Sequence, residues 1–102
     1  MTYLKDIKNN NEVKELCEAV TSLQTSDECF RFLADALTPR EILNIAQRLT
    51  AAKMLKAGKS YSEVSAATGM STATISRVSK ALDRGEGGYS IILKRIGEVE
   101  ND

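Results

Sequence analysis

The stretch from Ser60 to Leu82, SYSEVSAATGMSTATISRVSKAL, places a glycine between two short apolar patterns and restricts the fold more than any other feature. Ser60 and Glu63 have the spacing of a capping box, in which a hydroxyl and a carboxylate accept hydrogen bonds at the start of a helix. Gly69 follows where the chain must turn, because glycine adopts positive φ without steric cost. Ser71 is then a favourable N-cap for a second helix. The stretch therefore predicts two helices joined by a tight turn.

Each of these two helices has one apolar side and one polar side. The apolar residues of the second helix recur at spacings of three and four, which is the period of a half-buried helix. Ser65 and Ala66 are small enough to let the helices approach closely. The predicted apolar residues are Val64, Ala67, Met70, Ile75, Val78 and Leu82. This arrangement is typical of a helix-turn-helix, which lays its second helix in the major groove of DNA.

The polar side of the second helix carries small hydroxyl and methyl groups near its start and cations further along. Such side chains can contact base edges, thymine methyl groups and phosphates of double-stranded DNA. At the start of the first helix, outward-pointing N–H groups and neighbouring side chains form a second candidate phosphate contact. The predicted DNA-contacting residues are Lys59, Ser60, Ser62, Ser71, Thr72, Ala73, Thr74, Ser76, Arg77 and Lys80.

Charge is divided unevenly along the chain although the formal net charge is zero. Residues 1–39 hold four Lys/Arg and seven Asp/Glu, residues 40–84 hold eight and three, and residues 85–102 hold two and four. The basic segment contains the predicted helix-turn-helix, which favours a nucleic-acid partner. The alternative is a helical module that binds another protein and not DNA. Because binding phosphate releases counterions, only the first alternative predicts a strong salt dependence of DNA affinity.

Composition argues against an enzyme and against a metal site. The chain has no His, and its two cysteines, Cys17 and Cys29, form no CxxC pair. This leaves no usual zinc set and no His-based triad, so we expect no metal and no cofactor. There is also no phosphate-binding glycine loop after a strand and no nucleophile elbow. We expect both thiols to be reduced and buried. With no signal peptide or membrane span, we expect a cytoplasmic protein without a membrane partner.

The rest of the chain has helical periodicity and no strand-like alternation. One helix should run from Glu12 to about Gln24, and the next is capped by Thr25 with Glu28 or by Ser26 alone. A long helix should begin at Thr38-Pro39 and end at Gly58, and a last short helix follows the glycine-rich residues 85–88. The expected architecture is all-α with six helices: a flexible arm at 1–11, a single domain at 12–98 with the helix-turn-helix at 60–82, and a frayed tail at 99–102.

The predicted helix after Thr25 is apolar on more than one side. Its apolar residues are Cys29, Phe30, Phe32, Leu33, Ala36 and Leu37. A chain of 102 residues buries only a modest share of its surface, so a helix with two apolar sides favours a partner subunit. We therefore predict a homodimer.

Two runs, LTPREILNIAQRL and SYSEVSAATGMSTATISRVSKAL, resemble the bacterial Trp repressor superfamily, and more narrowly its YerC/YecD-type branch. The resemblance covers residues 12–98 and is most specific at Leu37-Thr38-Pro39, at Arg48, and at Ala73-Thr74-Ile75 with Arg77. It implies a Trp-repressor-like fold in which two chains form an intertwined homodimer. It also implies that two recognition helices bind a palindromic operator, so that the protein acts as a transcriptional repressor.

The resemblance further implies an effector pocket between the long helix and the recognition helix, with candidates Thr38, Arg48, Arg77, Val78 and Ala81. Thr74 also matches a family position near the ligand. Val78 stands where the Trp repressor has a glycine against the indole ring, and Ala81 where it has a serine that helps to hold the amino group. Overpacking costs about 1–3 kcal/mol, and a lost polar partner about as much. We predict that tryptophan is not the corepressor, so that DNA binding needs no ligand or a smaller, unidentified effector. Arg48 and Arg77 could instead contact solvent or phosphate.

Overall fold

The computed structural model describes residues 3–100 of the chain, and the side chains of residues 3–97. All secondary structure in this range is helical, which confirms the all-α prediction. The helices are α1 (Leu4–Ile7), α2 (Asn11–Thr21), α3 (Ser26–Ala36), α4 (Pro39–Lys56), α5 (Tyr61–Thr68), α6 (Thr72–Arg84) and α7 (Gly88–Glu100).

The described residues contain seven helices where the sequence predicts six. The additional helix, α1, is a single turn within the predicted flexible arm, and the Tyr3 N–H donates to the Asp6 carboxylate at its start, at 3.0 Å. One turn is too short to produce a recognisable apolar period. At the other end, α7 continues two residues past the predicted domain end at 98. Residues 1, 2, 101 and 102 of the predicted arm and tail lie outside the described residues.

Contacts divide the chain into two units, one ending at Pro39 and the other beginning at Arg40. The single domain over 12–98 stays a prediction. The first unit contains α1, α2 and α3. Their caps are local: Asn10 Oδ1 accepts a hydrogen bond from the Val13 N–H at 3.0 Å at the start of α2. No residue of these three helices is buried.

Thr25, and not Ser26, caps α3. Its hydroxyl accepts a hydrogen bond from the Glu28 N–H at 3.1 Å, and Ser26 is the first helical residue. The Glu28 carboxylate accepts from the Gln24 N–H at 2.9 Å, one residue before the cap. Thr25 and Glu28 therefore stabilise the start of α3 in a variant of the capping box. In this variant the Glu28 carboxylate accepts from the residue before the N-cap and not from the N-cap itself.

Several large apolar side chains of the first unit are exposed to solvent. Leu16 is 49% exposed, Val20 is 45% exposed and Phe30 is 61% exposed. Both cysteines are free thiols, as predicted, but the prediction that both are buried is wrong: Cys17 is exposed and Cys29 is half-buried. The apolar stripe predicted on α2 is therefore only partly covered within this unit: Val13 is half-buried, whereas Leu16 and Val20 are exposed.

The core of the second unit is small and centred on the helix-turn-helix. Its buried residues come from α4, α5, the turn and α6: Ala51, Ala52, Val64, Met70, Ile75 and Val78. Half-buried side chains of α4, α6 and α7 pack against it: Met54, Leu55, Leu82, Tyr89 and Leu93. The two alanines present only methyl groups, so α4 packs closely on the motif.

One predicted member of this core, Ala67, is exposed instead. The buried side of α5 passes through Val64 and the half-buried Thr68, which are four positions apart. On a helix, residues four apart share a face just as residues three apart do. In α5 the residue that shares the inward face with Val64 is Thr68. The prediction that Ala67 continues the buried side of α5 is therefore wrong, and Thr68 takes that place.

The end of α4 and the start of the motif are joined by a short glycine turn. Gly58 has φ of +89°. The Lys59 N–H donates to the Met54 carbonyl at 3.0 Å, and the Gly58 N–H donates to the Leu55 carbonyl at 3.0 Å. This is the Schellman pattern, which satisfies the last carbonyls of a helix and needs a left-handed residue. The prediction that Gly58 ends the long helix is confirmed.

Among the described residues, no helix has the length and apolar content that crossing a bilayer requires. In the same part of the chain, no three Cys, Asp or Glu side chains gather in an arrangement that could hold a metal ion.

Candidate nucleic-acid interface

The start of α5 is a complete capping box. The Glu63 N–H donates to the Ser60 hydroxyl at 3.1 Å, and the Ser60 N–H donates to the Glu63 carboxylate at 2.8 Å. Two N–H groups that a helix start leaves unpaired are thereby satisfied reciprocally. The predicted box is confirmed, and it fixes where α5 begins.

Gly69 makes the turn between α5 and α6 in the left-handed conformation, with φ of +74°. Its N–H donates to the Ser65 carbonyl at 2.8 Å and closes α5. No neighbouring heavy atom lies within 4 Å of the place a Cβ would take. The glycine is therefore required by its backbone conformation and not by a lack of space.

Side-chain hydrogen bonds hold the turn, and sequence reasoning missed most of them. The Met70 N–H donates to the Thr68 hydroxyl at 3.2 Å, and that hydroxyl donates to the Val64 carbonyl at 2.7 Å. The Ser65 hydroxyl donates to the Met70 carbonyl at 3.0 Å. Met70 itself is only 8% exposed and belongs to the core, which confirms that it is one of the apolar residues of the motif. Ser65 is thus a bonding partner of the turn as well as a small residue.

Ser71 caps α6 as predicted. Its hydroxyl accepts a hydrogen bond from the Thr74 N–H at 3.2 Å and lies 3.0 Å from the Thr74 hydroxyl. Further along the helix, the Ile75 side chain is 0% exposed and the Val78 side chain is 3% exposed, so this side of α6 faces the core. At 3.6 residues per turn, Arg77 and Lys80 must lie on the opposite side, and both are exposed.

The predicted DNA-contacting residues are all located in or beside these two helices. Most are exposed: Lys59, Ser60, Ser62, Ser71, Thr72, Ala73, Arg77 and Lys80. Thr74 and Ser76 are half-buried. Both N-cap hydroxyls are already engaged in capping, so Ser60 and Ser71 hold the helix starts as well as facing solvent.

The cations on the outer side of α6 have no acidic partner among the residues whose side chains the structure describes. Within the described part of the chain, neither Arg77 nor Lys80 forms an ion pair. An ion pair does occur in the first unit, between Arg31 and Asp27 at 2.9 Å. Unpaired, solvated cations keep their full attraction for an anionic ligand, since no salt bridge has to be broken before they bind it.

A small cavity of about 180 Å³ lies between α4 and the start of α6. Its lining residues are Asn44, Gln47, Arg48, Met70 and Thr74. Of the residues matched to the effector pocket, Arg48 and Thr74 line this cavity. Val78 is in the core, Arg77 is exposed, Ala81 is half-buried, and Thr38 belongs to the first unit.

Sequence reasoning also missed Gln47 and Asn44, which line the cavity from α4. The Gln47 side-chain amide donates to the Thr68 carbonyl at 3.3 Å. The two residues are one turn apart, and both are polar and exposed on a helix whose other positions are largely apolar. From the sequence, this spacing could have indicated that the two side chains share one face of α4. It could not have indicated what either side chain contacts.

These elements define an all-α protein built around a helix-turn-helix. The sequence matches the family model of the Trp repressor protein over residues 11–97. The chain therefore belongs to the Trp repressor family, and the resemblance stated from its sequence is confirmed.

Relatives and solved structures agree with this assignment. The chain is 40% identical over 97 residues to the uncharacterised protein YerC of Bacillus subtilis (strain 168), covering 95% of this chain and 93% of YerC. A crystal structure of a TrpR-like protein from Eubacterium eligens ATCC 27750 has a TM-score of 0.83 at 40% identity, covering 87% of this chain and 92% of that one. A candidate Trp repressor from Staphylococcus aureus has a TM-score of 0.86 at 36% identity, covering 94% and 96%.

Proposed function

We propose that this protein is a sequence-specific DNA-binding transcriptional regulator that represses by occupying an operator. The observation that carries the proposal is the outer side of α6, where Arg77 and Lys80 are exposed and unpaired opposite the buried Ile75 and Val78. A helix with a buried side and a cationic outer side, capped and held by a tight turn, suits insertion into the major groove.

The contacts divide by side-chain chemistry. Thr72 and Ala73, exposed in the first turn of α6, each present a methyl group that suits the C5-methyl of thymine. Arg77 suits a guanine edge, and Lys80 suits phosphate. At the start of α5, the exposed Lys59 and Ser62 suit a phosphate of the flanking backbone. Membership in a family named for a repressor supports this assignment.

The proposed protein acts as a homodimer. The first unit supports this, because its helices expose Leu16, Val20 and Phe30 and bury no residue of their own. Several large apolar side chains exposed within one small unit favour a covering surface. In the second unit, Ile91 and Ile92 of α7 are also about half exposed. A second copy of this chain is the partner that the family resemblance implies, with the two α6 helices related by a two-fold axis.

Selection of bound sequences from a random DNA pool, at near-physiological salt and without ligand, tests the proposal. We expect a palindromic motif with half-sites about one helical turn apart, and a mass in solution of twice 11.2 kDa. The matched control is the double variant Arg77→Ala/Lys80→Ala, which should lose the enrichment while remaining folded.

The competing function is a helical module that binds protein and not DNA. The open apolar helices of the first unit favour it as much as they favour a dimer. A protein-binding module would enrich no sequence, and any residual DNA affinity would lack a steep salt dependence. That pair of results would overturn the proposed function.

We further propose that tryptophan does not control this protein. Val78 is only 3% exposed and its side chain belongs to the core, so it leaves no open slot where the resemblance places the indole ring. Ala81 offers no hydroxyl for the amino group. In a calorimetric titration we expect no heat of binding at micromolar tryptophan, and unchanged DNA affinity in its presence. Micromolar binding would contradict this prediction.

A further inference from the structure

A hydrogen bond ties the turn of the helix-turn-helix to the long helix α4. The Gln47 side-chain N–H donates to the Thr68 carbonyl at 3.3 Å. The side-chain bonds within the motif join residues at most five positions apart, whereas this one joins residues 21 apart. Gln47 lies midway along α4 and Thr68 is the last residue of α5. The bond therefore joins the long helix to the end of α5, directly before the turn.

Thr68 transmits this connection to the recognition helix. While its carbonyl accepts from Gln47, its hydroxyl accepts from the Met70 N–H at 3.2 Å. The Met70 carbonyl in turn accepts from the Ser65 hydroxyl at 3.0 Å. The next residue, Ser71, is the N-cap of α6. An unbroken chain of bonds thus leads from Gln47 to the start of the helix that would contact DNA.

The surroundings make this bond more important than its length suggests. The cavity of about 180 Å³ separates α4 from the start of α6, so apolar packing does not fill the space beside Gln47. Ile75 and Val78 fix α6 further along by burial, which is not directional. A hydrogen bond is directional. Gln47 is thus well placed to set the distance between α4 and the first turn of α6.

We propose that Gln47 is a positioning residue for the recognition helix, holding the start of α6 in a DNA-compatible place without a bound ligand. Its effect on DNA affinity rests on the proposed function, whereas its effect on the turn does not. Because Gln47 lines the cavity and bonds the end of α5, it supplies from within the chain the fixed geometry that a small-molecule effector would otherwise have to supply.

Three variants of the full-length protein test this. Gln47→Leu has nearly the same volume and no donor. Gln47→Lys keeps a donor of similar reach. The matched control is Asn44→Leu, one turn earlier on α4, which lines the same cavity but makes no bond to Thr68. All three should keep the thermal midpoint within a few degrees of the parent, since both positions are exposed.

The first measurement is amide hydrogen exchange by NMR at Gly69 and Met70. In Gln47→Leu we expect exchange at these two amides to quicken about threefold to tenfold, with Gln47→Lys closer to the parent and Asn44→Leu unchanged. Equal exchange in Gln47→Leu and the parent, or an equal change in Asn44→Leu, would overturn the proposal.

The second measurement is the ratio of affinities for the selected operator and for a scrambled duplex of equal length. We expect Gln47→Leu to lower this ratio about threefold to tenfold. Taking the ratio cancels the uniform gain in DNA affinity that the added charge of Gln47→Lys brings, so its ratio should lie near the parent's. If the parent selects no sequence, the proposed function fails, and the exchange data alone decide the role of Gln47. If the parent selects an operator and the ratio is unchanged in Gln47→Leu, the positioning role fails alone.

Discussion

Replacing Ile75 by alanine should lower the free energy of unfolding by about 2–5 kcal/mol. Ile75 is 0% exposed and is one of the two largest fully buried side chains, with Val64. The fully buried residues that α4 contributes to this core are the alanines Ala51 and Ala52, which are too short to move into the space left behind. The lost transfer energy is therefore joined by the cost of a cavity. Small domains have a free energy of unfolding of only about 5–15 kcal/mol. This single substitution should therefore remove a large fraction of the stability of the protein.

Urea unfolding followed by circular dichroism, at one fixed protein concentration, measures this effect. The concentration must be fixed because subunit association would itself shift the midpoint. Ile75→Val is the graded control and should cost about 0.5–1.5 kcal/mol, with the same dependence on urea for both variants. A loss below about 0.5 kcal/mol in Ile75→Ala would mean that the second unit does not depend on this core.

The elements that sequence predicts well here are those whose partners lie nearby in the chain. Ser60 with Glu63, Ser71 with Thr74, and the left-handed Gly69 are each settled within a few residues. Their geometry follows from side-chain reach and backbone sterics, with no need to know the rest of the fold. The buried side of α6 is predictable for the same reason, because a 3.6-residue period is a local property.

The features that sequence does not predict depend on distant partners. Nothing in the positions of Gln47 and Thr68 indicates that they meet, because 21 residues separate them. The exposure of Cys17 was mispredicted since an apolar stripe indicates a face and not what covers it. The burial of Val78 likewise depends on residues of α4 and α5 that are distant in the chain, which the family correspondence alone does not indicate.

The core and the candidate interface are two sides of one helix, and each depends on the other. Burying Ile75 and Val78 fixes the rotation of α6 about its axis, and that rotation is what turns Arg77 and Lys80 outward. A one-residue shift of the apolar pattern would bring the cations towards the core, where unpaired charge is costly. The pattern that folds the motif therefore also selects the residues that can reach DNA.

Replacing Arg77 by alanine should weaken binding to the selected operator by about 1–3 kcal/mol and relax the preference at one base pair of each half-site. Arg77 is exposed and makes no ion pair in the described part of the chain, so its guanidinium is free to bond the O6 and N7 atoms of a guanine. Affinities for the operator and for all single-base variants of it, measured at several salt concentrations, give both effects together.

Two further variants separate base contact from phosphate contact. Arg77→Lys keeps the charge but lacks the planar fork that bonds two guanine atoms, so it should restore little of the specificity. Arg84→Ala removes the same charge from the exposed last residue of α6 and should leave the base preference intact. If Arg77→Ala instead weakens all sequences alike, reduces the salt slope by about one and is rescued by lysine, then Arg77 binds phosphate. The specificity of α6 would then have to come from Thr72 and Ala73, whose methyl groups distinguish thymine but form no bidentate contact.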